Sequence, residues 1–194
     1  MSTTLRVLGI DIGFASVGIA LVELTHVSES VEWLDVIRTE KSAKKREVRA
    51  SDDNLRRAQE IASRLVPFFQ NDRIQVVCME AMSFPRNASA SMKMGMCLGD
   101  IATLACLYSV PIQQVSPQEI KKRLCGKKDA SKDDVEKALR KRYKIRKDVV
   151  AFTESSREHA FDALASIVAC LDSEVIRIGR KMIGAPKNGI ARHP

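Results

Sequence analysis

The sequence lacks any uninterrupted apolar stretch of the roughly 18 to 20 residues that a membrane-crossing helix requires. Its most membrane-like run, Ala163 to Leu171, is short and holds Ser166, so no membrane partner is expected. The N-terminal MSTTLRVLGIDIG places a charge just after its first apolar residue and has no small-residue cleavage site behind a long apolar region. That argues against a signal peptide and for a cytoplasmic protein. CxxC pairs are missing as well. The five cysteines, Cys78, Cys97, Cys106, Cys125 and Cys170, are odd in number and mostly embedded in apolar runs, so they read as reduced core thiols, and neither a disulfide framework nor a zinc site is expected. There is no internal repeat, which excludes solenoids.

What is present is positive charge. In 194 residues, 32 Lys+Arg stand against 24 Asp+Glu, giving a net charge of +8. On a chain of single-domain size this field attracts polyanions, and nucleic acid is favoured over an anionic membrane because no amphipathic basic helix is visible. A soluble basic protein without a polyanionic ligand is the plainer alternative.

The hydrophobic pattern organises the chain into one α/β domain. Val7 to Asp11, Ser16 to Leu24 and Val31 to Ile37 read as three strands in an antiparallel meander. A basic segment from Arg38 to Arg57 follows, with Lys41, Lys44, Lys45, Arg46 and Arg49, and then a helix with Ala58, Ile61, Ala62, Leu65 and Phe69 in register. Ile74 to Met79 is a buried strand ending in Glu80. Met92 to Tyr108 is an apolar helix whose Gly95, Gly99, Ala102 and Ala105 would let it pack closely on a sheet, and Ile112 to Val115 is a fifth strand. Ser116 with Pro117 and Glu119, Ser131 with Asp134, and Ser155 with Glu158 carry the pattern of helix capping boxes; the last of these helices is expected to run to about Ile178. Strands first, then strands alternating with helices, predict a mixed sheet covered by helices. Residues 1–180 are expected to form the domain and 181–194 a flexible basic tail.

Three acids end or interrupt elements that otherwise read as buried: Asp11 after Leu8-Gly9-Ile10, Glu80 after Val76 to Met79, and Asp162 within His159-Ala-Phe-Asp-Ala-Leu-Ala. Singly, an acid after a strand is often a turn former. Together they need an explanation, because ionised carboxylates in apolar surroundings are unfavourable unless paired or bound to metal. His159 and Asp162, at i and i+3, project toward one point on a helix face flanked by small residues. A cap or a core contact for His159 and a cationic partner for Asp162 remain the alternative, and Glu158 is set aside as belonging to the capping box. Three carboxylates and one imidazole suit Mg²⁺ or Mn²⁺, and two such ions can serve phosphodiester hydrolysis. With the basic charge, the pattern is that of a nuclease. Lys132, in the first turn of a helix, opposes the macrodipole by about 0.3 to 1 kcal/mol, which Asp133 and Asp134 offset; a phosphate bound there would account for it, as would simple tolerance at the surface.

The ordered set of Gly9-Ile-Asp-Ile-Gly13 with Gly18, Met79-Glu80, the stretch Arg86 to Gly95, Ile120-Lys121 through Gly126 to Ser131-Lys132, and His159-Ala-Phe-Asp162-Ala-Leu-Ala165 resembles the RuvC-type Holliday-junction resolvases. The resemblance spans about residues 5 to 175. It implies an RNase H-like fold with a five-stranded mixed sheet, three antiparallel then two parallel strands. It also implies a homodimer that nicks four-way DNA junctions symmetrically, leaving 5′-phosphate and 3′-hydroxyl ends, with Mg²⁺, two per active site, or Mn²⁺ in its place. By position, Asp11, Glu80, His159 and Asp162 match the family's metal-binding set, whose third member is Asp or His, and Lys121 and Lys132 match its two lysines near the scissile strand. Phe84, Arg86 and Lys93 are the further DNA-contact candidates. Two departures stand out: Ile12 replaces the usual Pro, and Ser83 occupies the place of an aromatic that stacks on a junction base, with Phe84 one residue on. Stacking contributes about 1 to 3 kcal/mol per base where it forms. A cytoplasmic, nucleoid-associated location follows, or the host cytoplasm for a viral source. No particular helicase or recombination partner is indicated.

Three other readings are weighed against this one. A nuclease of the same fold with broader specificity for flaps, forks or RNA would fit the altered aromatic position. An actin-like sugar kinase shares an N-terminal Asp-x-Gly, but the chain is short for two such domains and has no second Gly-rich phosphate loop. A silent junction-binding protein would not need all four site residues.

Overall fold

The computed structural model describes residues 4–43, 47–71, 73–82 and 87–184. Five strands, β1 (Leu5–Asp11), β2 (Ser16–Leu24), β3 (Glu29–Arg38), β4 (Val76–Glu80) and β5 (Ile112–Val115), form one sheet in the order β3-β2-β1-β4-β5. The pairs β1/β2 and β2/β3 are antiparallel, and β1/β4 and β4/β5 parallel. This is the mixed five-stranded α/β arrangement expected from the sequence. Strands β1, β3, β4 and β5 therefore point the same way, and their C-terminal ends share one edge of the sheet.

The period-two alternation of each strand divides the core in two. On one face Leu5, Val7, Ala20, Val22, Val76 and Cys78 pack beneath α5 (Arg157–Cys170), with α3 (Pro117–Cys125) and α4 (Lys132–Arg142) alongside it. On the other, Leu8, Ile10, Ile19, Val77 and Met79 meet α1 (Ala50–Gln70) and α2 (Ala88–Leu107). Asp11 and Glu80 continue the parity of the first set, so both stand on the α5 face, one residue beyond the paired positions Ile10 and Met79.

Helix α5 lies directly on the backbone of the sheet. A Cβ at Gly9 would collide with the carbonyl oxygen of Ala163, and one at Gly18 with that of His159. Glycine at these two positions is thus a condition for the close approach.

Several expectations are corrected. The Ser116/Glu119 and Ser131/Asp134 capping boxes form, but no Ser155/Glu158 box does. A short 3₁₀ turn, Glu154–Ser156, leads into α5, and its N-cap makes no side-chain hydrogen bond. The final helix is broken at 171–173, and a separate helix α6 (Glu174–Gly184) follows, so residues 181–184 are helical; 185–194 lie outside the described residues. Gly95 and Gly99 of α2 do not meet the sheet, since a Cβ on either would touch nothing within 4 Å. By length and apolarity α2, not Ala163 to Leu171, is the one described helix able to cross a membrane; it carries Lys93 and Asp100 and sends Cys97, Ile101, Leu104 and Ala105 into the core. Cys78, Cys97 and Cys170 are buried free thiols as expected, whereas Cys106 is exposed and Cys125 half-buried.

Gly18→Ala is expected to destabilise the protein by at least about 2 kcal/mol in urea unfolding, because the obstacle is backbone and cannot rotate away. An unchanged unfolding midpoint would show that α5 tolerates displacement.

Candidate active site

At the shared strand edge, Asp11, Glu80, Lys121, Lys132, His159 and Asp162 line one cleft of about 380 Å³, floored by Ile12, Ile120, Val135 and Ala165. Six residues singled out from the sequence, drawn from five segments of the chain, are brought together. Asp11 and Glu80 come from adjacent parallel strands, His159 and Asp162 from the first turns of α5 above them, Lys121 from α3 and Lys132 from the start of α4.

The acids are answered by internal cations. Asp11 Oδ2 is 2.8 Å from His159 Nδ1, and that bond, against partial burial, raises the imidazole's pKa so that it favours the protonated form. Asp162 Oδ2 is 3.5 Å from Lys132 Nζ, which also pairs with Glu158. Burial first, and then the charge of Asp11, push the Asp162 carboxyl up to about 6. Glu80 is raised too, by burial and then by Asp11 and Asp162, with Lys132 and Lys121 opposing. This is the signature of a carboxylate cluster that repels itself in a partly desolvated cleft. The donor set, oxygen-rich with one imidazole, matches a hard divalent cation in kind. Among the described residues, no group of three or more His, Cys, Asp or Glu side chains is already arranged to hold an ion.

The remaining candidates are not in this cleft. Phe84 and Arg86 lie outside the described residues, as do Lys44, Lys45 and Arg46. Lys93 faces a second cleft with Lys41, Ser42, Asp53, Asn54 and Ser89, between the segment after β3 and the first turns of α1 and α2. Arg57, counted in the basic segment, is only 4% exposed. It donates to Thr39 Oγ1 at 2.9 Å and to Phe14 O at 3.1 Å, and stacks on the Phe14 ring, so it supports the turn that follows Asp11. Among the described residues, sequence reasoning missed the pairing of Glu158 with Lys132 and the burial of Arg57. The signal for Arg57 was present, since at four residues before Ile61 it falls on the apolar stripe of α1.

The family model described as "Crossover junction endodeoxyribonuclease RuvC" matches residues 7–171. A relative with that description from Hydrogenovibrio crunogenus is 27% identical over 165 residues, covering 85% of this chain and 86% of the relative. Two solved structures share the fold. Thermus thermophilus RuvC has a TM-score of 0.67 at 24% identity, over 85% of this chain and 92% of that one. The same protein in complex with Holliday junction substrate has 0.69 at 20%, over 91% and 98%. With the family's match extending from β1 through the end of α5 and taking in every side chain of the cleft, this chain belongs to the RuvC family of crossover junction endodeoxyribonucleases.

Proposed function

We propose that the protein resolves Holliday junctions as a metal-dependent homodimer, each subunit nicking one of two symmetric strands to leave a 5′-phosphate and a 3′-hydroxyl. The observation that carries this is the convergence of three carboxylates, one imidazole and two lysines in a single cleft at the C-terminal ends of β1 and β4. Asp11, Glu80, His159 and Asp162 would hold Mg²⁺, or Mn²⁺ in its place. Bound there, the ion supplies Lewis-acid polarisation of the phosphate and lowers the pKa of water.

The chain's own residues do the rest. Lys121 and Lys132 neutralise and orient the scissile phosphate. His159 would hold the ion through a ring nitrogen freed of its proton, and because the bond to Asp11 favours the protonated imidazole, metal affinity would weaken as pH falls. The apolar floor excludes water from one side and strengthens each charge above it. Lys41 and Lys93 line a second phosphate contact, and Phe84 and Arg86 stand in sequence where a base-stacking and backbone contact would be made. A cytoplasmic location, beside the DNA, goes with this reading.

The apolar, exposed side of α2 is the proposed dimer face. Met92 and Leu107 are 51% and 72% exposed, and the open Gly95 and Gly99 let a second backbone approach. Gly99→Arg is expected to yield monomers in sedimentation, with single in place of paired nicks on a junction. A variant that stayed dimeric would move the interface elsewhere.

Asp11→Asn, Glu80→Gln and Asp162→Asn should each lower junction cleavage by at least about a hundredfold while leaving junction binding intact. The assay is an end-labelled four-way junction, with and without Mg²⁺, both strands mapped, beside flap, fork, linear and RNA substrates. Equal cleavage of flaps or forks would favour the broader specificity, and full activity in any of the three variants would remove that residue from the site.

The raised carboxyl of Asp162 also has a stability signature. Between its unfolded value of 3.8 and its folded value of about 6 the folded state binds more protons, so metal-free stability falls as pH rises through that window. Above it the penalty is complete, about 1–3 kcal/mol. Asp162→Asn should therefore raise the metal-free Tm at pH 7.5 by about 2–12 °C and leave it little changed near pH 4, and Mn²⁺ should raise the wild-type Tm more at pH 7.5 than at pH 5. Thermal unfolding in EDTA checks the first, and a metal titration the second.

A further inference from the structure

We propose that Glu158 restrains Lys132, holding its ammonium in an ion pair at the mouth of the cleft that a DNA phosphate must displace. The inference rests on the reading of the cleft as a phosphodiester-cutting site, and it gives a role to an acid that the chemistry there does not otherwise use.

Lys132 is the first residue of α4 and Glu158 the second of α5, so the pair joins the first turns of two helices at the rim. Lys132 Nζ bonds Glu158 Oε1 and lies 3.5 Å from Asp162 Oδ2. Both side chains are open to solvent, at 66% and 56% exposed, hence within reach of an arriving strand. The alternative partners are engaged elsewhere. Arg157, next to Glu158, pairs with Glu136 and Glu154, and the α5 N-cap takes no side-chain bond, so Glu158 does not close a capping box.

A phosphodiester carries the same single charge as the carboxylate it would replace. When Lys132 turns to the phosphate, Glu158 is left unpaired beside the DNA, and its negative charge offsets the positive charge that Lys132 brings to the strand. Lys132 therefore adds almost nothing to the salt dependence of binding while Glu158 is present. Without Glu158 it adds a full contact, about 0.9 to the slope of log K against log salt.

The test measures binding of a four-way junction to the full chain in EDTA, at salt concentrations from low to physiological, for wild type, Glu158→Gln, Lys132→Met and the double variant. Glu158→Gln is expected to bind about two- to fivefold more tightly at low salt, the range that exposed ion pairs span, with a slope steeper by about 0.9. The double variant should match Lys132→Met alone. A favourable interaction of Glu158 with the α5 dipole, the purely structural role, would change unfolding and leave the slope unmoved. An unchanged slope and affinity in Glu158→Gln overturns the proposal, and so does an unchanged slope with a raised Mg²⁺ requirement for cleavage, which would make Glu158 a ligand. Failure of the wild type to prefer junctions over duplex would count against the resolvase reading alone, because the slope change is then read on duplex.

Discussion

Everything at the cleft depends on how closely α5 lies on the sheet. The carbonyls of His159 and Ala163 sit where side chains would be at Gly18 and Gly9, so helix and strand backbones touch. A residue with a side chain at either place would lift the helix, and with it His159 and Asp162, away from Asp11 and Glu80. Strand parity supplies the other half of the geometry. Because Leu5, Val7 and Gly9 face α5, Asp11 must face it too, and the parallel register of β1 with β4 sets Glu80 at its side. The placing of four potential ligands is thus a consequence of core packing, and the residues that secure it are glycines with no chemistry of their own.

That packing creates an electrostatic problem at the same spot. Carboxylates crowded over an apolar floor disfavour one another's ionisation, as the raised values of Glu80 and Asp162 record. The chain responds with cations from other elements: His159 to Asp11, Lys132 to Asp162. These pairings are partly open to solvent, so they offset part of the repulsion without closing the cleft. A deeply buried pair would be costly to break, whereas ion pairs this open to solvent are weak.

The parts legible in the sequence are those whose cause is local. Ser116 with Glu119 and Ser131 with Asp134 form their capping boxes because the whole motif lies within four residues. The same pattern at Ser155 and Glu158 fails because Glu158 has a tertiary partner, Lys132, and a 3₁₀ turn rather than an extended residue enters the helix. The break between α5 and α6 carries only Asp172 and Ser173 as a signal, too little to separate it from a continuous helix. Gly95 and Gly99 show that small residues announce a close approach without naming what approaches. Arg57 shows both sides: its place on the apolar stripe of α1 is a local sign of burial, but its partners Phe14 and Thr39 lie 43 and 18 residues away, so the sequence does not say what it bonds. The cleft itself was readable because its acids interrupt runs that are otherwise apolar, an anomaly visible without knowing the fold.

The net charge of +8 takes its meaning from this division. With β1, β3, β4 and β5 running in one direction, their C-terminal ends deliver Asp11 and Glu80 and, on neighbouring connections and helices, Lys41, Lys93, Lys121 and the start of α4 to a single edge, where α5 adds Asp162. The first turns of α3, α4 and α5 open there as well and add their partial positive charge, reduced at α3 and α4 by the capping boxes. That edge presents Lys121 and Lys132 beside the acids of the cleft, with Glu158 paired to Lys132 at its mouth, and Lys41 and Lys93 in the neighbouring cleft. On the proposed reading, attraction would rest mainly on the lysines and metal binding on the acids, so that the crowding of the acids would not be limited by the need to bind DNA.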